Sequence, residues 1–204
     1  MNNSLIVKDC LKHGWNTFKA RPWFFVGVTV LIAVIQMISS GIQSSVPDIA
    51  GFFLSVIIST LLYSGVITLF LKAEADAKSA SLNDLWNPEP FWRYLGVSVL
   101  IGIAVIVGLV FLIIPGIFFA IIFSFAGYLA VDKKMSPIAA MKESVHMTKG
   151  NRWKLLLLGL AVFVLSFIGA LPLLLGLLVV VPVAMIANLH AYRVLQKAPQ
   201  QIEA

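Results

Sequence analysis

The sequence predicts an all-α membrane protein of six transmembrane helices, arranged as three hairpins that are each preceded by a short cytoplasmic interfacial helix. Three observations lead there. Hydrophobic residues make up 60% of the chain and charged residues only 12%, with a mean hydropathy of +0.97, whereas soluble domains are nearer half apolar and a quarter charged. The run from Tyr94 to Val131 holds no charged side chain. None of the 15 Lys and Arg residues lies in the turns that pair the apolar segments.

The apolar segments are Pro22 to Ser39, Ile49 to Leu71, Tyr94 to Ile114, Gly116 to Val131, Leu155 to Ala170 and Pro172 to Leu195. A helix rises ~1.5 Å per residue and the hydrocarbon core is ~30 Å thick, so ~20 residues span it. The fourth and fifth segments fall short, which leaves open hairpins that dip partway into the bilayer and return. Backbone polar groups find no partners in lipid, so a long apolar run reverses only near an interface or inside protein. Pro115 disfavours helix at Ile114, and Gly116 tolerates positive φ, which predicts a compact turn there. Ala170-Leu171-Pro172 predicts the same in the last run, and Gly41 to Asp48 a longer, more polar turn in the first.

Charge orients the chain. With every cation on one side of the hairpins, the positive-inside rule places both termini and the two long loops in the cytoplasm. The net charge of +6 then sits beside anionic headgroups, which makes anionic membrane lipid the expected partner and nucleic acid not. The first span is read as retained rather than as a signal peptide, because the stretch before it is long and amphipathic.

An aromatic and basic cluster opens each odd-numbered span: Arg21-Pro22-Trp23, Phe91-Trp92-Arg93 and Arg152-Trp153-Lys154. Trp23, Trp92 and Trp153 read as interfacial anchors, and Arg21, Arg93, Lys149, Arg152 and Lys154 as candidate headgroup contacts. Upstream of the clusters, Ser4, Ser81 and Ser136 are candidate helix caps, with Asp84 completing a capping box and Pro137 at a first helical position. Val7, Leu11, Gly14, Trp15 and Phe18 share one helical face, predicting an interfacial helix with its apolar face toward lipid. Ile138, Met141 and Val145 give a weaker stripe. Within the single domain 1–204, these features define three repeat units, 4–75, 81–131 and 136–195.

The stretch IIPGIFFAIIFSFAGYLAVDKKMSPIAAMKESVHMTKGNRWKLLLLGL, followed by a Gly/Leu-rich hairpin and LHAYRVL, resembles a widespread bacterial integral-membrane family. It includes the membrane domain of some glycerophosphoryl diester phosphodiesterases and related stand-alone proteins. The matching positions are Pro115-Gly116, Val131-Asp132, Ser136, Ala140, Ser144, Lys149-Gly150 and Tyr192-Arg193. The resemblance implies a helical protein of the bacterial inner membrane, with termini in the cytoplasm. It implies no phosphodiesterase activity, because the catalytic barrel of those fusions is a separate soluble domain.

Chemistry is sparse. The spans have no acidic or basic residue in their interiors, which argues against proton-coupled transport. None of His13, His146 and His190 has a His, Cys or carboxylate at metal-ligand spacing beyond the ordinary helix pair Glu143 and His146, so no metal, cofactor or catalytic residue is expected. Cys10 is the only cysteine and reads as a packing residue, and Gly150 as a helix C-cap. The expected function is a non-enzymatic, lipid-interacting, membrane-organising or partner-supporting role, with a second copy or another membrane protein as a further partner. The alternative is a small transporter lined by Ser55, Ser59, Thr60, Tyr63 and Ser64. A lipid-modifying enzyme using Asp132, Glu143 or His146 ranks last, for want of a converging constellation.

Overall fold

A computed structural model describes residues 5–45, 48–86, 88–111, 113–171 and 175–197, which are helical almost throughout, with no strand among them. The helices are α1 (Val7–Ala20), α2 (Pro22–Ser45), α3 (Asp48–Ala75), α4 (Phe91–Phe111), α5 (Ile113–Ile122), α6 (Ala126–Asp132), α7 (Pro137–Thr148), α8 (Arg152–Ala170) and α9 (Leu177–Lys197), with a single 3₁₀ turn at Leu82–Leu85. Six stretches are long and apolar enough to cross a membrane: most of α2 and α3, α4, α5 continued by α6, α8 and α9. This is the architecture of an all-helical, multi-pass membrane protein.

Consecutive spans pack together: α2 with α3, α4 with α5, and α8 with α9. Small residues allow the close approach. A Cβ on Gly108 would lie 2.9 Å from the Gly116 Cα, and one on Gly176 would lie 2.4 Å from the Gly169 carbonyl oxygen. Pro115 and Gly116 both lie within α5, which packs back on α4, so these two residues are helical and do not themselves form the predicted turn. Pro115 sits in the first turn of α5, where backbone N–H groups lack helical acceptors anyway. Pro172, Ser4 and part of the predicted Gly41 to Asp48 turn lie outside the described residues.

Part of the amphipathic face of α1 is covered by protein, while Trp15 on the same face stays exposed and Val7 and Leu11 are half-buried. Cys10, Gly14 and Phe18 are buried against the bundle, above all against α9. A Cβ on Gly14 would stand 2.5 Å from the Val183 carbonyl oxygen, so only glycine fits this crossing. Periodicity shows that a face is covered without showing what covers it. Burial, and secondarily Asp9, push the Cys10 thiol up to about 11, so it stays protonated and packs as a small apolar group.

The fourth span is interrupted. Phe123 to Phe125 form a turn between α5 and α6, which frees backbone groups that a buried site must satisfy. The hydroxyl of Ser144 in α7, itself fully buried, donates to the Ile122 carbonyl at 2.8 Å and accepts the Phe125 N–H at 3.2 Å. One side chain thus bridges both sides of the break. The face of α7 turned inward is accordingly Ala140, Ser144 and Thr148. Of the stripe expected from sequence, Ile138 is exposed while Met141 and Val145 are half-buried, because small residues, not the largest apolar ones, allow α7 to approach the broken helix. Ser144→Ala leaves that donor and acceptor without their partner and is expected to lower stability by about 1–3 kcal/mol, read as a fall in Tm of the detergent-solubilised protein.

Candidate functional site

The charged residues that the spans exclude meet at one end of the bundle. Asp132, at the last position of α6, accepts a hydrogen bond from the fully buried Tyr192 hydroxyl at 2.8 Å. It also takes a two-pronged contact from the Arg193 guanidinium at 3.2 and 3.3 Å, the geometry that makes arginine–carboxylate pairs strong. Gln196 closes the group by donating to the Tyr192 oxygen at 2.8 Å and accepting from Arg193 at 3.3 Å. Asp132 and Tyr192-Arg193, family-like positions far apart in sequence, therefore form one network tying α6 to α9.

Arg193 reaches a second carboxylate. Its Nε lies 3.7 Å from Glu74 Oε2 in the last turns of α3. The other oxygen of Glu74 faces two histidines, His190 Nδ1 at 3.0 Å and His13 Nε2 at 3.7 Å. The two imidazoles stack with centroids 4.1 Å apart. Burial, and next the neighbouring His190, lower the His13 pKa below its ordinary 6.5. The expectation that no histidine has a His or carboxylate partner holds along the chain and fails in space, because α1, α3 and α9 converge here. Glu74 escaped notice because it ends an apolar span, as helix-terminal charges commonly do. His146 is exposed on α7 and takes no part in this cluster.

Beside the network lies a cavity of about 370 Å³ whose wall includes Thr68, Lys72, Glu89, Asp132, Lys134 and Arg193. Its cations have acidic partners: Lys72 with Asp84 and Lys134 with Glu89. Lys134 is the main cause holding the Glu89 carboxyl below its usual value.

The predicted lipid contacts fall into two kinds. Trp23, Trp92 and Trp153 are 86, 76 and 79% exposed, each in the first turn of its span. Arg21 is engaged with the loop after α3, donating to the carbonyls of Ala77 at 3.2 Å and Ala80 at 3.1 Å. Arg152 lies over the Phe118 ring, Arg93 stands close enough to Glu89 to favour its ionised form, and Lys154 is half-buried while Lys149 is exposed. Gly150 adopts φ +80°, the left-handed conformation of a helix C-cap. Ser136 occupies the N-cap of α7 with Pro137 at the first helical position, although its hydroxyl makes no capping bond.

Ser81 and Asp84 form the anticipated pair. The Asp84 carboxylate accepts from the Ser81 N–H at 2.8 Å and the Ser81 hydroxyl at 3.1 Å. Partial burial opposes its charge, but Lys72 and the two Ser81 donors outweigh that and hold the carboxyl below its ordinary 3.8. A depressed folded-state pKa stabilises the loop fully above pH 3.8 and loses that contribution as pH falls through the folded-state value. Asp84→Asn at pH 7 is therefore expected to open residues 76–86 to hydrogen exchange, corrected for intrinsic rates, as far as strong acid opens them in the unaltered chain. Asp132→Ala is expected to cost about 1–3 kcal/mol by stranding Tyr192 and Arg193. Adding Tyr192→Phe is expected to cost less than the sum of the two single changes, a coupling that a double-mutant cycle on Tm reads directly.

Known relatives add identity without activity. The chain is 27% identical over 177 residues to "Uncharacterized protein Rv2560" of Mycobacterium tuberculosis, covering 81% of this chain and 54% of that one. It matches "Uncharacterized protein Mb2590" of Mycobacterium bovis equally well. Over 103 residues it is 28% identical to "UPF0259 membrane protein PC1_1998" of Pectobacterium carotovorum, covering 50% of this chain and 41% of the relative. The chain spans about half the length of the curated relatives it matches. No solved structure matches it. The family model described as "Protein of unknown function (DUF975)" matches residues 96–199, from α4 through α9, and the chain belongs to that family.

Proposed function

We propose that this protein is a non-enzymatic component of the bacterial inner membrane that binds anionic lipid at its charged end and organises lipid or supports a membrane partner. In this reading both termini, the loop after α3 and the segment around α7 face the cytoplasm, and the spans form three hairpins with their aromatic clusters at the interface. The observation that carries the proposal is the triplet of exposed tryptophans, Trp23, Trp92 and Trp153, each beside a basic residue at the first turn of a span. Amphipathic rings beside cations match the headgroup level of a bilayer.

The hydroxyl stripe of α3 supports packing rather than a solute path. Of its members, Ser55, Thr60 and Ser64 donate to carbonyls of their own helix, at 2.7 to 3.0 Å, which occupies donors a water-lined path would present, while the exposed Tyr63 hydroxyl accepts from Gln36 of α2 at 3.2 Å. Asp132, a candidate acid or base from sequence, is committed to Tyr192 and Arg193.

Juxtamembrane cations contribute about 1 kcal/mol each toward anionic lipid. Neutralising Lys149, Arg152 and Lys154 together, as Gln, is expected to weaken retention of phosphatidylglycerol by on the order of 100-fold at low salt, read by native mass spectrometry from mixed-lipid nanodiscs. Unchanged retention in the triple variant would sink the lipid-binding proposal.

A further inference from the structure

We propose that His13, Glu74 and His190 form a binding site for a borderline divalent cation of the Zn²⁺ class, with solvent as a further ligand. The three donors come from α1, α3 and α9, and their ligand atoms all lie within 4.8 Å of one another. Two imidazoles and one carboxylate suit zinc and its first-row neighbours, unlike the all-oxygen shells of Mg²⁺ and Ca²⁺. Zinc holds such ligands at ~2.0–2.1 Å in a tetrahedron, whose edges are then ~3.3–3.4 Å long. The separations from Glu74 Oε1, 3.0 Å to His190 Nδ1 and 3.7 Å to His13 Nε2, bracket that edge.

An independent observation points to a missing ligand. His13 Nε2 is shielded from solvent yet has no hydrogen-bond partner, an arrangement native structures rarely leave without a reason. Glu74 Oε1 is too far for a bond but well placed to share a cation with it.

The surroundings are built for the task. Arg193 lies against the second Glu74 oxygen and is itself gripped by Asp132, which orients the carboxylate as outer-shell partners do around metal ligands. Glu74, Asp132 and Arg193 together leave one net negative charge to receive the ion. The histidine side chains are 35 and 26% exposed, so the cluster lies near the surface even though His13 Nε2 itself is shielded. Their near-parallel stack, at 21° between planes, must tilt for both nitrogens to converge. A bound ion would pin the N-terminal helix to two spans.

The test uses the full chain in nanodiscs, without a polyhistidine tag, stripped with chelator and equilibrated with Zn²⁺. About one Zn²⁺ per chain is expected by mass spectrometry of the metal. His13→Ala and His190→Ala should each lower affinity by more than the ~10–100-fold typical of losing an outer-shell partner. Co²⁺ substitution should give the intense visible absorption of a four-coordinate centre, a readout on the unaltered chain that stands even if a variant misfolds. Absence of saturable Zn²⁺ binding, a six-coordinate Co²⁺ spectrum, or affinity unchanged in both histidine variants would each overturn the proposal, the last placing the ion elsewhere, such as at exposed His146.

Discussion

Helices in lipid gain little by merely burying apolar surface against each other, since the surrounding chains are as apolar as leucine. Which span meets which must be decided by close-packing small residues and by the few polar groups that cannot face hydrocarbon. In this protein the polar decisions are concentrated at one end. Asp132, Tyr192, Arg193, Glu74 and the two histidines tie α6, α3, α1 and α9 to a common junction. Toward the other end the spans become sparse in protein contacts, with Ile106 and Val110 of α4 and Phe163 and Phe167 of α8 largely exposed. The bundle is thus specified from its charged end outward.

The same constraint explains Ser144. A break in a span exposes one acceptor and one donor in a medium without water, and a hydroxyl is the smallest group able to serve both. Its position on α7, outside the spans, makes that short helix a splint for the fourth span. The resemblance of the segment from Pro115 to Gly150 to other bacterial membrane proteins thereby gains a physical reading, in which Ser144, Asp132 and Gly150 act as a brace, a tether and a cap.

Span positions, the helical class, the Ser81–Asp84 pair and the Gly150 cap were legible because each depends on composition or on neighbours within a few residues. The histidine cluster was not. His13 and Glu74 sit on opposite sides of two spans, and His190 lies a further four spans on, so nothing in local spacing announces their meeting. The α1 stripe was legible as a stripe, but the identity of its cover was not, since lipid and α9 are both apolar. Gly14 held the clue: a glycine in the middle of an apolar helical face costs stability unless another backbone must come close, and that of α9 does.

That contact has a consequence for biogenesis. The docking surface of α1 belongs to α9, which is synthesised after five intervening spans, so during translation that part of the apolar face of α1 has no protein to cover it until α9 has emerged. Until then the bilayer surface is the apolar phase within reach of an amphipathic segment. The interfacial helix suggested by the sequence and the docked helix seen in the structure then correspond to successive stations of the same fourteen residues.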